Sequence, residues 1–308
     1  MPHPMPVATA ITEARDRCTD ARGAGLTVGV VPTMGYFHAG HRSLMRAARE
    51  ATDFVVVTLF VNPTQFGPQE DLGAYPRDPD GDRSVAEAEG ADLLFAPSVE
   101  EMYPAGPPRT TVHVAGLTDA LCGAARPGHF DGVTTVVTKV FSIVGPCSAF
   151  FGRKDFQQLA VVTRMTADLD LPVQVIGCPL VREVDGLAMS SRNAYLTDAE
   201  RAAATVLHRS LQSAAEAAVA GERRSSALVD LVRVMVGTEP LVALEYAEVR
   251  DAHALEPRER LEGEVVLALA AQVGRARLID NVVLAVANDR VRVDLGAISD
   301  REPGPPGS

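Results

Sequence analysis

The stretch Pro32-Thr33-Met34-Gly35-Tyr36-Phe37-His38-Ala39-Gly40-His41 decides how this chain is read. It lies between an apolar run at residues 28–31 and a helical pattern at 42–51, and so reads as the first strand-to-helix turn of an α/β sheet. Open parallel sheets bind ligands at such turns. Gly35 and Gly40 allow tight turning and close backbone approach, and the new helix offers unpaired N–H groups and a positive dipole end to an anion. His38 and His41 are three residues apart, so once the helix has begun they share a face and can both donate to a phosphate. Two surface histidines at a helix start are the simpler alternative, but the pair with both glycines in this setting favours the phosphate.

Working outward, residues 1–6 contain three prolines and predict a loose arm, followed by a helix near 8–18. Downstream, residues 53–61 predict a buried parallel-type strand ending at Asn62-Pro63-Thr64-Gln65-Phe66, which sets two amides at its carboxyl end. Residues 67–81, rich in Gly, Pro and Asp, predict a mobile loop that either covers a site or is a plain connection. A strand is expected at 91–96. Arg126-Pro127-Gly128-His129-Phe130-Asp131-Gly132 then leads into a central apolar helix at 133–144. A brief strand at 149–151 meets Gly152-Arg153-Lys154-Asp155-Phe156-Gln157-Gln158, a helix continues to about Leu169, and residues 172–178 give another strand. This alternation predicts a Rossmann-like, doubly wound parallel sheet.

The character changes near Arg182-Glu183-Val184-Asp185-Gly186. Met189-Ser190-Ser191-Arg192-Asn193 precedes Thr197-Asp198-Ala199-Glu200, a capping box that starts an alanine-rich helix running to about Ala220. A helix at 226–236 and strands at 245–250, 264–271 and 277–283, with Gly274 in the last turn, predict a smaller α+β domain. The expected division is residues 1–182 for ligand binding, 183–300 as a C-terminal lid, and a disordered tail at 301–308.

Composition narrows the function. With 46% hydrophobic residues the 308-residue chain can bury a large core. Lys+Arg 29 against Asp+Glu 40 gives a net charge of −11, which argues against nonspecific binding to nucleic acid or anionic membranes and leaves small molecules as ligands. Cys18, Cys122, Cys147 and Cys178 are widely spaced, with no Cys-x-x-Cys pair and no signal-peptide pattern, so neither a zinc cage nor a disulfide framework is indicated and a cytoplasmic location is expected. No apolar stretch reaches the ~20 residues that span a bilayer. Lys139 and Lys154 are the only lysines among the 29 basic residues. A lysine kept inside a motif of an arginine-biased chain points to a need for a compact, mobile charge.

Taken together, Pro32 to His41, Phe60-Val61-Asn62-Pro63-Thr64-Gln65-Phe66, Gly152 to Gln158, and Asp185-Gly186-Leu187-Ala188-Met189-Ser190-Ser191-Arg192-Asn193 resemble the pantothenate synthetase (pantoate–β-alanine ligase) family. Order and spacing match, and the resemblance covers nearly the whole chain except its two tails. It implies a cytoplasmic, homodimeric ligase of the coenzyme A pathway that joins pantoate to β-alanine with ATP, through a pantoyl adenylate, releasing pyrophosphate and AMP. Competing readings are another nucleotidyltransferase with the same histidine turn, or a nucleotide-sensing module without turnover.

By resemblance, His38, His41 and Lys154 serve catalysis. Met34, Gly35, His38, Gly40, His41, Gly152, Arg153, Lys154, Asp155, Val181, Met189, Ser190, Ser191 and Arg192 line ATP. Asn62, Gln65 and Gln158 hold pantoate, and Gln65, Arg126 and His129 receive β-alanine. The chemistry suits these types: attack of a carboxylate on the α-phosphate builds charge that positioned donors stabilise, and an amide can accept from hydroxyls while donating to a carboxylate. Arg126 and His129 are read from their Pro/Gly loop and from the match of arginine's planar fork to a carboxylate, and Arg126 pairing with Asp131 or lying in solvent is the alternative to a substrate role. Two departures stand out. In Arg77-Asp78-Pro79-Asp80-Gly81-Asp82 a glycine replaces one commonly acidic residue near magnesium, so Mg²⁺ is expected to arrive on ATP with protein ligands unassigned. Arg153 stands where relatives often have glutamate. The apolar 133–144 segment is one candidate dimer surface.

Overall fold

The structure is a computed structural model and describes residues 5–68, 70–288 and 290–299. In chain order its elements are β1 (Val7–Ala8), α1 (Ile11–Gly23), β2 (Val28–Val31), α2 (Ala39–Ala51), β3 (Phe54–Thr58), α3 (Pro79–Ala88), β4 (Leu93–Phe95), α4 (Val99–Met102), α5 (Leu121–Ala125), α6 (His129–Val144), β5 (Cys147–Gly152), α7 (Phe156–Asp168), β6 (Val173–Cys178), β7 (Val181–Arg182), α8 (Asp198–Ala204), α9 (Val206–Val219), α10 (Ser225–Val236), β8 (Val242–Asp251), β9 (Gly263–Val273), β10 (Ala276–Ala287), β11 (Arg290–Asp294) and β12 (Ala297–Ile298). Short 3₁₀ turns occupy Pro63–Gln65, Arg153–Asp155 and Ser191–Tyr195. Two compact units result. The first comprises the chain to Asp119, Gly123–Gly152 and Val161–Cys178; the second comprises Ala120–Cys122, Arg153–Ala160 and the chain from Pro179.

The first unit is built on a six-stranded parallel sheet ordered β1-β4-β3-β2-β5-β6. Val30, Val31, Val55, Val56 and Val57 are fully buried, as expected of parallel strands covered on both faces. Strand order runs one way from β2 through β3 and the other way through β5, so β2 and β5 flank the topological switch point. The expected loose arm docks from Met5 onward: Met5 is buried, its N–H donates to Glu87 Oε1, and Val7–Ala8 pair with β4. That edge pairing moves the first helix from the expected 8–18 to Ile11–Gly23. β3 ends at Thr58, three residues short of the expected Val61. In the central helix Val133, Val137, Val140, Phe141 and Val144 are buried within the unit.

The second unit has a four-stranded antiparallel sheet ordered β11-β10-β9-β8. Leu207, Leu211, Leu228 and Val232 of α9 and α10 pack on Val265, Leu267, Leu269 and Leu284 of that sheet. Gly274 turns between β9 and β10 with φ +53°. The alanine-rich helix is interrupted at Thr205, whose hydroxyl bonds back to Ala202 O and competes with the helical ladder. The β7–β12 parallel pair and β11 were not expected. The tail at 301–308 lies outside the described residues. Among the described residues no helix is long and apolar enough to cross a membrane, and all four cysteines are free thiols.

Candidate active site

In the first unit the histidine turn is shaped by its own backbone and one carboxylate. Thr33 N–H donates to Thr58 Oγ1 at 3.0 Å, fixing the exit of β2 against β3. Gly35 has φ +91° and Tyr36 has φ +56°, two successive left-handed residues whose turn exposes amides in a concave nest. The nest is filled from within: Asp82 of α3 accepts from Tyr36 N at 2.8 Å and from Phe37 N at 2.7 Å. Burial pushes the Asp82 carboxyl above its ordinary value, and the two N–H donors oppose that rise. A Cβ on Gly35 would lie 2.4 Å from Leu59 Cδ1 and 2.7 Å from Asp82 Oδ2, so glycine is required by both space and φ.

His38 is the N-cap of α2. Its Nδ1 accepts from Gly40 N–H at 3.1 Å, and His41 Nδ1 accepts from His38 N–H at 3.4 Å, a capping box made of imidazoles. In each neutral ring an accepting Nδ1 puts the proton on Nε2. The rings stack with centroids 4.1 Å apart. Two Nε2–H donors therefore accompany a helix N-terminus.

Asn62 is only 1% exposed and fully committed. Its Nδ2 donates to Gln65 Oε1 at 3.1 Å and Gly132 O at 3.1 Å, while its Oδ1 accepts from Tyr103 OH and Thr64 Oγ1, each at 2.9 Å. Expected as a pantoate ligand, Asn62 has no amide group left for one and instead orients Gln65. With Oε1 accepting, Gln65 presents its Nε2 donor beside Met34, where it meets Sδ at 3.2 Å. Gly132 permits the arrangement: a Cβ there would lie 2.3 Å from Thr64 O.

The loop before α6 also corrects an expectation. Arg126 forks onto Glu70, Nε to Oε1 at 2.8 Å and Nη2 to Oε2 at 2.5 Å, and not onto Asp131, which pairs with His113. Glu70 is drawn below its ordinary range: burial opposes this, and the Arg126 hydrogen bond and charge outweigh it. His129 Nδ1 meets Gln65 O at 2.7 Å and its Nε2 meets Arg126 Nη1 at 3.0 Å. Both expected β-alanine contacts thus brace Gln65 from behind. A cavity of about 480 Å³ lined by Pro63, Tyr103, Pro107 and Pro108 holds none of the expected ligand-binding side chains.

In the second unit, Asn281 Nδ2 donates to Arg153 O and Lys154 O, each at 3.0 Å, and so grips the turn after Gly152. Arg153, expected at ATP, pairs with Asp294 at 2.9 Å. The Lys154 side chain is 20% exposed, and the ion-pair partner of its ammonium among the described residues is Asp155 at 3.9 Å, too long for a hydrogen bond. Gln157 is tied to Cys122 N and Ala120 O, whereas half-buried Gln158 lies beside it. Further on, Met189 N–H donates to Val181 O, Ser190 Oγ accepts from Arg192 N–H, and Ser191 is buried. Beneath them Arg182, 1% exposed, forms a bidentate pair with Asp280 at 2.7 and 2.9 Å and donates to Gly186 O.

The sequence pointed to none of Asp82, Tyr103, Gly132 and Asn281 as site residues. Each acts from a distant element: Asp82 and Gly132 fall within segments noted for other reasons, and no local pattern marks Tyr103 or Asn281. Among the described residues no group of three or more His, Cys, Asp or Glu could hold a metal ion. Asp78 caps α3 through Gly81 N–H and Asp82 serves the turn, so the acidic segment is otherwise engaged.

Comparison with known proteins gives one answer. The family profile for pantoate-beta-alanine ligase matches residues 6–283. A pantothenate synthetase from Moorella thermoacetica is 51% identical over 282 residues, covering 92% of this chain and 99% of that protein. One from Heliobacterium modesticaldum is 56% identical over 262 residues, covering 85% and 93%. The crystal structure of the pantothenate synthetase from Thermus thermophilus superposes with a TM-score of 0.84 at 44% identity, covering 90% of this chain and 98% of that one. That of Francisella tularensis pantoate-beta-alanine ligase complexed with beta-gamma ATP and beta-alanine gives 0.74 at 30% identity, covering 90% and 97%. With its parallel sheet, its histidine turn and this match over nearly its whole length, the chain belongs to the pantoate–β-alanine ligase family.

Proposed function

We propose that this ligase uses His38 and His41 as hydrogen-bond donors to the phosphates of ATP in its joining of pantoate to β-alanine. The observation that carries the assignment is the pair of imidazoles whose Nδ1 atoms are occupied by backbone N–H groups, so that both present Nε2–H at a helix N-terminus. In the first half-reaction a pantoate carboxylate oxygen attacks the α-phosphorus, the bond to the β-phosphate oxygen breaks, and pyrophosphate leaves. In the second, the neutral amine of β-alanine attacks the acyl carbon, AMP leaves with the acyl C–O electrons, and the amine loses a proton. Neither step requires a covalent enzyme nucleophile, so positioned donors carry the catalysis.

Lys154 supplies the mobile charge, in keeping with its weakly engaged ammonium. Gly35, Gly40 and Gly152 give backbone approach, and Val181, Met189, Ser190, Ser191 and Arg192 contribute the second unit's nucleotide contacts. Gln65 and Gln158 hold pantoate. Arg126 and His129 act on β-alanine through Gln65, and Asn62 acts on pantoate the same way. Mg²⁺ enters with the triphosphate as part of the substrate. The protein is further proposed to work in the cytoplasm as a homodimer, and its four free thiols suit a reducing compartment.

A two-stage assay tests the reading. With ATP and pantoate alone, pyrophosphate should form, and adding β-alanine should then yield AMP and amide in equal amounts. Pyrophosphate release that requires β-alanine from the start, or transfer from a different acid, would overturn it.

A further inference from the structure

Asn193 closes the turn that begins at Ser190: its N–H donates to Ser190 O at 3.0 Å. Its side chain anchors that turn from below. Asn193 is 8% exposed, and Nδ2 donates to Glu183 Oε1 at 2.6 Å and to Ala188 O at 3.0 Å. Both amide hydrogens are thereby used, while Oδ1 is buried with no hydrogen-bond partner among the described residues. A side chain that leaves its own carbonyl unmatched is placed by its nitrogen.

The acceptor at the other end is equally fixed. Glu183 is 5% exposed, its N–H donates to Leu187 O, and its second carboxylate oxygen accepts from Arg201 Nη2 of α8. Arg201 also pairs with Asp185 at 2.9 Å. A continuous polar relay therefore runs from α8 through Arg201 and Glu183 to Asn193, and so to the backbone of the Ser190–Arg192 turn. A buried carboxylate held by an arginine on one side is a stiff support for the amide on the other.

We propose that Asn193 is a positioning residue for nucleotide binding, holding Ser190, Ser191 and Arg192 in phosphate-contacting geometry through Glu183 and Arg201. This rests on the reading that those three residues contact ATP. It touches no substrate itself.

The test uses the full chain and three variants: Asn193→Ala, Arg192→Ala and the double substitution. Pyrophosphate release is followed with ATP varied at saturating pantoate, and amide formation is measured separately from supplied pantoyl adenylate. Asn193→Ala should raise the ATP KM about tenfold and leave the adenylate-to-amide rate within about twofold. In the Arg192→Ala background the same substitution should add little, because both act through one turn. Full additivity, or an unchanged ATP KM in Asn193→Ala beside an impaired Arg192→Ala, overturns the relay alone. An unchanged ATP KM in Arg192→Ala overturns the phosphate reading on which the relay rests. If Asn193→Ala does not fold, Arg201→Met at the part-exposed end of the relay replaces it. A rise of about threefold in ATP KM then supports the relay, and no rise overturns it.

Discussion

The histidine turn of the first unit and the Met189–Arg192 turn of the second reach a fixed shape by different means. The first is held by backbone geometry: two left-handed residues, a helix N-terminus and imidazoles that cap their own helix, with outside support from Asp82 and Thr58. The second has local caps as well, Ser190 Oγ accepting from Arg192 N–H and Ser190 O from Asn193 N–H, but does not rely on them alone. It also rests on ion pairs that reach beyond the turn, buried Arg182 with buried Asp280 and buried Glu183 with part-exposed Arg201. A turn specified locally loses its function mainly through changes within itself. One specified by buried ion pairs can be broken from a distance, because removing one partner strands the other charge.

The largest expected effect follows from that contrast. Asp280→Ala leaves Arg182 charged in a site where both side chains are at most 2% exposed. Urea unfolding should show a loss of roughly 3–5 kcal/mol, the range for stranding a buried charge. Replacing both partners by apolar residues of similar size should recover much of it. A loss below ~1 kcal/mol for the single variant would remove the distinction between the two turns.

Next in size is a change in chemistry without a change in scaffold. Lys154 has its backbone carbonyl held by Asn281 but its ammonium only loosely engaged by Asp155. Lys154→Ala should therefore slow pyrophosphate release by ~10²-fold or more, as removal of a transition-state donor does. Its melting temperature should stay within a degree or two of the parent, since a part-exposed pair at such distance contributes little. Lys154→Arg should also be impaired if a compact charge is needed. Adenylate formation at near-normal rate in Lys154→Ala would remove this residue from the chemistry.

Asp82 supports the histidine turn from outside, and cutting that support should have an intermediate effect. Asp82→Ala strands the Tyr36 and Phe37 N–H groups and should cost about 2 kcal/mol, near the figure for orphaned buried donors. Gly35→Ala should cost a similar amount, from the left-handed φ together with the clash at Leu59. If Asp82→Ala proved as damaging as Asp280→Ala, the histidine turn would not be the locally specified one.

The same contrast explains what could be read from the sequence. The histidine turn, the amides after β3 and the lysine after β5 were legible because strand, turn and helix signals sit within a dozen residues of one another and parallel sheets bind ligands at those ends. The parallel sheet followed from buried Val-rich runs, and the second unit from its capping box and alternating strands. What was not legible depends on pairing across the chain: β1 against β4, β7 against β12, Arg126 with Glu70 in place of Asp131, and Asn62 saturated by Tyr103 and Gly132. A sequence shows that Asn62 is an amide at a strand end. It does not show that the amide's hydrogen-bonding capacity is already filled.

The smallest expected effect separates the two regions by pH. His208 of α9 lies against Gly186, where a Cβ would come within 2.3 Å of its Cδ2, and its buried Nδ1 has no hydrogen-bond partner among the described residues. Burial and then the Arg182 guanidinium push its imidazole below the ordinary value of 6.5, with Asp280 and Asp185 opposing. The unfolded chain therefore binds this proton more readily than the folded one. Stability from neutral His208 is complete above the unfolded value near 6.5 and falls as pH drops from there toward the depressed folded value. The second unit should lose stability as pH falls below about 6.5. His208→Gln should flatten that slope, measured as melting temperature against pH, even if it lowers stability throughout. The histidines of the α2 cap provide the internal control. A His38→Asn variant should retain the slope below about pH 6.5, and loss of the slope in that variant would assign the pH dependence to the first unit instead.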